Sequence, residues 1–331
     1  MSHSFLFSPI KLILIALFVL IALFVLVFSR PFTAIAENQG EDAGKVFRDC
    51  PSCPEMVVIP AGHFLMGSSP ADTQRDIAEA LAEEKETYKV WFTRETPQHA
   101  VTIGRSFAMG RYLVTRGEFA SFVQETGYAA SQGCIVYDNH WYPMRPRADW
   151  RSPGFTQTDR DPVVCVSWND AQAYVAWLNS KLGRQAGEAN GKLYHLPSEA
   201  EWEYSARSGT QTIRWWGDAI GKGNADCLGC GSQWDNRQPS PVASFRPNPF
   251  GLFDMLGSAW EWTQDCWHEN YIEAPTDGAA WMNGESCGRY YAARGGSFST
   301  LPWILRPAHR TLFTFNWPAN DTSFRVAKRL P

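Results

Sequence analysis

The sequence predicts an α+β fold in one large domain, and three observations carry that prediction. Three segments open with a hydroxyl residue answered by a carboxylate three positions on, at Thr115–Glu118, Ser167–Asp170 and Ser198–Glu201. That pairing satisfies the free amides of a helix start. Short apolar or alternating runs read as strands between them, without the strand–helix–strand alternation of a parallel sheet. The 331 residues also include 15 Trp, 20 Phe and 11 Tyr with Gly and Pro scattered throughout, which suits a core built largely from turns and irregular backbone.

In chain order, Leu12 to Phe28 is an unbroken apolar run behind Lys11, followed by Ala34-Ile35-Ala36. It reads as a signal peptide or a membrane anchor over residues 1–36, with the rest of the chain exported to the periplasm or the outer face of the inner membrane. Residues 37–54 are expected to form a linker, and the domain itself to span 55–331. Met56–Pro60 and Ala61–Gly67 read as two short strands turned by Pro60-Ala61-Gly62. The charged stretch 70–94 reads as a surface helix, and Gln98–Ile103 and Ser106–Tyr112 as further strands. The first capped helix should bury Phe119, Phe122 and Val123 and end at Gly127. The second should form one face from Trp168, Ala171, Tyr174, Val175, Leu178 and Leu182 and stop at Gly183. The third should end at Gly209. Residues 139–158 and 213–240 read as long loops of the kind that carry function or are pinned by bridges and ions.

Pro247–Thr263 (PNPFGLFDMLGSAWEWT) cannot be a solvated loop: its Pro and Gly residues turn the chain while Phe250, Leu252, Phe253, Met255, Leu256, Trp260 and Trp262 demand burial. Glu261, between two indoles, needs a partner. The eight cysteines form an even set, and export favours bridges. Cys134 with Cys165 and Cys266 with Cys287 each flank a long loop, and Cys227 and Cys230 would pin another. A redox role for the Cys227-Leu228-Gly229-Cys230 motif is the alternative, though no βαβ pattern surrounds it. Basic residues number 30 against 34 acidic ones, and 28 against 34 once residues 1–36 are set aside, which disfavours nucleic acid as a partner.

Seven motifs in order carry a resemblance. They are Met56–Gly62 (MVVIPAG), Pro162–Trp168 (PVVCVSW), Leu196–Glu203 (LPSEAEWE), Gly251–Met255 (GLFDM), Trp260-Glu261-Trp262, Arg294–Phe298 (RGGSF) and Phe324–Ala327 (FRVA). Together the sequence resembles the formylglycine-generating enzyme family, also called sulfatase-modifying factors, over about residues 55–330. The resemblance implies a single domain of distorted C-type-lectin-like topology with little regular structure, and structural calcium in some members. It also implies oxidation of a sulfatase cysteine by copper and dioxygen, using two cysteines shortly after the Arg294–Ser297 motif. Here no cysteine follows Cys287, so copper is not expected, because serine and threonine oxygens do not replace soft thiolates for cuprous ion. Ser258 stands where the family commonly has Asn. Asn224, Asp226 and Asp235 lie where the other calcium loop is expected and either supply oxygens or cap turns.

Three functions follow from these readings. The first is an exported, copper-independent module that binds a peptide or protein partner in the periplasm. The second is a periplasmic oxidative tailoring enzyme resembling the pyoverdine-maturation oxidase, with Glu261, Arg294 and Ser297 as its catalytic candidates. The third is a true sulfatase activator, which would need a thiol pair. A ligand groove is expected along Trp260, Trp262, Arg294, Ser297, Trp303 and Arg310, the alternative being that Arg294 pairs with Glu261 inside the core.

Overall fold

The structure, a computed structural model, describes residues 42–72, 74, 90–138, 143–186 and 193–330. The apolar run Leu12–Phe28 and most of the expected 70–94 helix lie outside the described residues. Residues 70–72 and 90–93, at the two ends of that stretch, are helical. Among the described residues no helix is long and apolar enough to cross a membrane.

Thirteen short strands and three α-helices are described. Strands β1 (Val46–Phe47), β2 (Met56–Ile59), β5 (Phe107–Gly110), β8 (Tyr194–His195) and β13 (Ala327–Arg329) form an antiparallel sheet in the order β1-β2-β5-β13-β8. The C-terminal strand thus lies beside strands from the start of the domain. The expected linker supplies β1, which pairs Phe47 with Met56, so the folded part begins before residue 55. Strands β3 (Gly62–Met66) and β4 (His99–Ile103) form a separate ladder. Hence the turn at Pro60 passes the chain from one sheet to another.

The helices follow their caps. In α1 (Arg116–Thr126) the Thr115 hydroxyl accepts from the Glu118 amide, Glu118 answers the Thr115 amide, and Gly127 closes the helix in left-handed backbone at φ 67°. Helix α2 (Trp168–Ala186) begins with the same exchange between Ser167 and Asp170. It continues through Gly183, whose absent side chain faces open space; an internal glycine costs about 1 kcal/mol but does not by itself break a helix. Helix α3 (Glu199–Arg207) is boxed by Ser198 and Glu201 and ends at Ser208, one residue before Gly209.

Phe119 and Phe122 of α1 pack on Tyr174 of α2, and both Phe119 and Tyr174 contact Phe324. A second core gathers Val57, Met109, Trp202, Leu252, Met255 and Leu256. The 213–240 loop makes no named strand; it is held by the Cys227–Cys230 bridge and by bonds to the buried Asp226. Bridges also join Cys134 to Cys165 and Cys266 to Cys287, as expected, and Cys50 to Cys53. The remaining sheet runs β11-β10-β9-β12, from β9 (Trp260–Cys266), β10 (Tyr290–Arg294), β11 (Arg310–Thr314) and β12 (Thr322–Ser323), with β9 and β12 parallel. Strands β6 (Cys134–Ile135) and β7 (Met144–Arg145) form a last small ladder.

Candidate functional site

Strands β9 and β10 set Glu261 opposite Arg294, after which the chain turns through Gly295 and Gly296 at φ 96° and 78°. A side chain at residue 295 would meet Met255 O and the Trp202 ring at 3.2 Å, and one at residue 296 would meet Leu305 and Thr300 at 2.9 Å. Only glycine combines that backbone with such crowding. The glycines therefore admit the protein's own core rather than a bound chain.

Register does not decide the ion pairs. Glu261 accepts two bonds from Arg325, at 2.6 and 2.8 Å, and one from Trp202 Nε1 at 3.0 Å. Arg294 instead pairs with Glu203 at 2.5 Å and lies 3.2 Å from a Glu199 oxygen, while donating to the carbonyls of Pro307 and His309. Arg310 pairs with Glu199, and Arg306 grips Glu95 through two bonds of 2.9 and 2.7 Å. The result is a fully buried array in which each carboxylate meets at least one guanidinium, the arrangement that makes buried charge tolerable. The alternative pairing of Arg294 with Glu261 does not form.

Trp260, Trp262, Arg294, Ser297, Trp303 and Arg310 are all buried, none more than 6% exposed. They do not line an open groove, because the guanidiniums are drawn inward by carboxylates and the rings are packed by neighbours. Trp262 Nε1 donates to Val166 O, and Trp303 packs on Phe92 and His309. Ser297 Oγ lies 3.3 Å from Asp321 and 3.0 Å from Ser299 Oγ. Burial pushes the Asp321 carboxyl up to about 6 against these hydroxyl bonds.

A cavity of about 210 Å³ opens beside this array, lined among others by Ser68, Gln98, Arg207, Thr212, Arg306 and Ala308. The next residue, His309, is enclosed by three indoles. Its ring stacks on Trp91 and meets Trp303 and Trp260, with centroids 5.7, 5.7 and 5.8 Å away. Its Nδ1 lies 3.4 Å from Glu95 Oε1, and neither ring nitrogen makes a well-aligned hydrogen bond among the described residues. Burial pushes the imidazole below its ordinary range, so it is neutral near pH 7 and able to accept a proton. Burial works against ionisation of Glu95 too, but Arg306 and His309 hold it well below the usual carboxylate range. Sequence reasoning named neither Glu95 nor His309, which carry no local motif and lie more than 200 positions apart in the chain.

The buried acids yield a prediction. Asp265 is pushed up to about 7 by burial and by Glu199, and Asp321 to about 6. The folded state keeps protons that the unfolded chain has already lost above the ordinary carboxylate range, so these groups cost stability as pH rises through their folded values. Thermal melting is expected to occur at a higher temperature at pH 5.5 than at pH 8; the opposite order would contradict the assignment.

For metals the donor sets decide. The segment after Ser297 supplies Ser299 and Thr300 but no thiol, and all eight cysteines are in bridges, so the residues do not fit the cuprous site that the resemblance implies. The calcium candidates lie on one loop. Asp226 accepts from Ser232 and Ser240 and is pushed up to about 8, first by burial and then by the nearby Asp235. Asp235 accepts from the Gly231 amide through one oxygen, and its second, buried oxygen has no hydrogen-bond partner among the described residues. Asn224 Oδ1 has only a 3.5 Å contact to Arg246. Neighbouring acids on one loop are the donor type a hard cation takes, although both Asp226 oxygens are engaged and no cluster of three or more acidic, histidine or cysteine side chains is gathered among the described residues.

A family model for the sulfatase-modifying factor enzyme 1-like domain matches residues 42–330. The formylglycine-generating enzyme of Thermomonospora curvata is 30% identical over 316 residues, covering 82% of this chain and 92% of that protein. The mouse protein called inactive C-alpha-formylglycine-generating enzyme 2 is 29% identical, with 70% of this chain and 75% of its own length covered. The solved structure of PvdO from Pseudomonas aeruginosa superposes with a TM-score of 0.69 at 33% identity, covering 87% of this chain and 99% of that one.

Proposed function

Because the chain belongs to the sulfatase-modifying factor enzyme 1-like family, we propose that it is an exported, copper-independent oxidative tailoring enzyme. Its likeness to PvdO along nearly the whole of that chain supports this oxidase-like reading. The observation that carries it is His309: a buried, neutral imidazole 3.4 Å from Glu95 and next in the chain to Ala308, which lines the polar cavity. A neutral imidazole set beside a buried carboxylate is the arrangement of a general base, able to take up a proton.

In this reading a small exported substrate occupies the cavity, Arg207 orients it by its acceptor groups, and His309 takes one of the two protons that its oxidation releases; two electrons and two protons end on dioxygen as hydrogen peroxide. Dioxygen is the electron acceptor, the oxidant used by the enzymes this chain resembles. Calcium would be held by Asn224, Asp226 and Asp235, supplying rigidity to the 213–240 loop rather than chemistry. The four bridges support an oxidising compartment, and with it the exported reading.

The test compares exported metabolites of cells producing the parent chain with those of cells producing His309→Gln. A melting curve must first establish that the variant folds. The expected result is accumulation of a reduced precursor, heavier by a pair of hydrogen atoms, with conversion falling by 10²-fold or more, on the order of what a positioned acid–base group contributes. Unchanged metabolites would overturn the assignment. They would favour the second reading, an accessory module that binds a peptide or protein partner, which the mouse relative named as inactive supports.

A further inference from the structure

The Cys50-Pro51-Ser52-Cys53 turn lies outside the proposed site, and we infer that it is a thiol–disulfide exchange site that oxidises peptide dithiols. The bridges differ in kind. Cys134–Cys165 and Cys266–Cys287 span 31 and 21 positions, whereas Cys50–Cys53 and Cys227–Cys230 span three each and restrict the unfolded chain least. Opening a short-span bridge therefore threatens the fold least. Of these two, Cys50–Cys53 reaches a large cavity through Cys50, which is 6% exposed, while Cys53 is buried. Cys50, Pro51 and Ser52 line a space of about 710 Å³ together with Arg48, Glu118 and Lys181; both bridges otherwise belong to a core, Cys50–Cys53 to the one that holds Met56 and Phe119, Cys227–Cys230 to the one that holds Trp202 and Leu256.

The surroundings of Cys50 are those of a stabilised thiolate. Lys181 Nζ donates to Ser52 Oγ at 2.6 Å, and Ser52 Oγ lies 3.7 Å from Cys50 Sγ. With its lone pair engaged by the ammonium, the hydroxyl hydrogen can turn to the sulfur. Arg48 adds a second cation, donating to Cys53 O at 2.5 Å. Glu125 holds Lys181 at 2.7 Å, and Glu55 and Glu118 lie 3.6 and 3.7 Å from Arg48. These acids orient the cations and temper their charge. In the bridged state the hydroxyl–ammonium pair does little, but once the bridge opens it favours the thiolate. A pair whose reduced form is stabilised is an oxidant.

The exchange balances without a metal. A thiolate of the peptide attacks Cys50 Sγ, the Cys50–Cys53 bond breaks, and Cys53 leaves as a thiolate that takes up a proton. The second peptide thiolate then attacks the peptide sulfur of the mixed disulfide and expels the Cys50 thiolate. Two electrons pass from the peptide dithiol to the protein, one of its two protons goes to Cys53 and the other to solvent because Cys50 stays a thiolate, and a small-molecule disulfide in the oxidising compartment restores the bridge. This inference stands apart from the oxidase reading, and either can fail without the other.

The test mixes the full chain, bridges intact, with a reduced synthetic peptide carrying two cysteines separated by two residues. Alkylation and peptide mapping follow. Peptide disulfide should form while Cys50 and Cys53 alone become alkylated, and Cys53→Ser, mixed instead with the disulfide form of the peptide, should attack it through Cys50 and be recovered as a mixed disulfide at that position. Lys181→Met and Ser52→Ala should each lower the exchange equilibrium constant about tenfold, one unit of thiol pKa. The inference is overturned if Cys50–Cys53 stays closed or if Cys227–Cys230 opens in its place. It is also overturned if both variants, folded by melting, exchange like the parent.

Discussion

Replacing Arg325 by Met is expected to destabilise the protein by about 3–5 kcal/mol, the loss typical when one member of a buried ion pair is removed. Arg325 is fully buried and makes two bonds to Glu261 while also donating to the carbonyls of Gly110 and Phe253. Without it, Glu261 keeps only the Trp202 indole, and burial, which already pushes its carboxyl up, acts unopposed. Glu261 must then carry a proton in the folded state. The folded value lies above the unfolded one, so the penalty grows as pH rises beyond the ordinary carboxylate range. Urea unfolding at pH 5 and pH 8 should therefore give a larger deficit at pH 8. A deficit under 1 kcal/mol, equal at both, would contradict the assigned pairing.

Replacing Trp303 by Ala is expected to cost about 3–5 kcal/mol as well, the range for deleting a large buried ring. The indole is only 5% exposed, packs on Phe92, and walls His309 from one side. A groove-lining Trp303 would behave differently, with stability nearly intact and ligand capture weakened. Thermal unfolding distinguishes the two, and a variant as stable as the parent would return the ring to a surface.

These two residues mark how far the sequence could be read. The capping exchanges at Thr115, Ser167 and Ser198 are local, so the helix starts are legible, and Cys134–Cys165 and Cys266–Cys287 follow from loops that bracket them. The helix end at Gly183 is misread because an exposed internal glycine costs less than the packing of α2 returns. The site is misread for a different reason. Arg294 and Glu261 are cross-strand partners, yet each carboxylate goes to the guanidinium that the whole fold brings nearest, and Arg325 and Glu203 come from elements far away in the chain. His309 and Glu95 meet across the molecule with no periodicity to announce either. The apolar run around Trp260 and Trp262 announced their burial, whereas Trp303, expected along a groove, is buried by packing from elements distant in the chain.

The central claim is that oxidation by this chain does not pass through a thiolate copper site. Competition between the purified protein, with its bridges intact, and a copper(I) chelator tests it most directly. The account predicts no stoichiometric copper on the protein, because no thiol follows Ser297 and every cysteine is bridged. One tightly held equivalent of copper, lost on thiol alkylation, would contradict it.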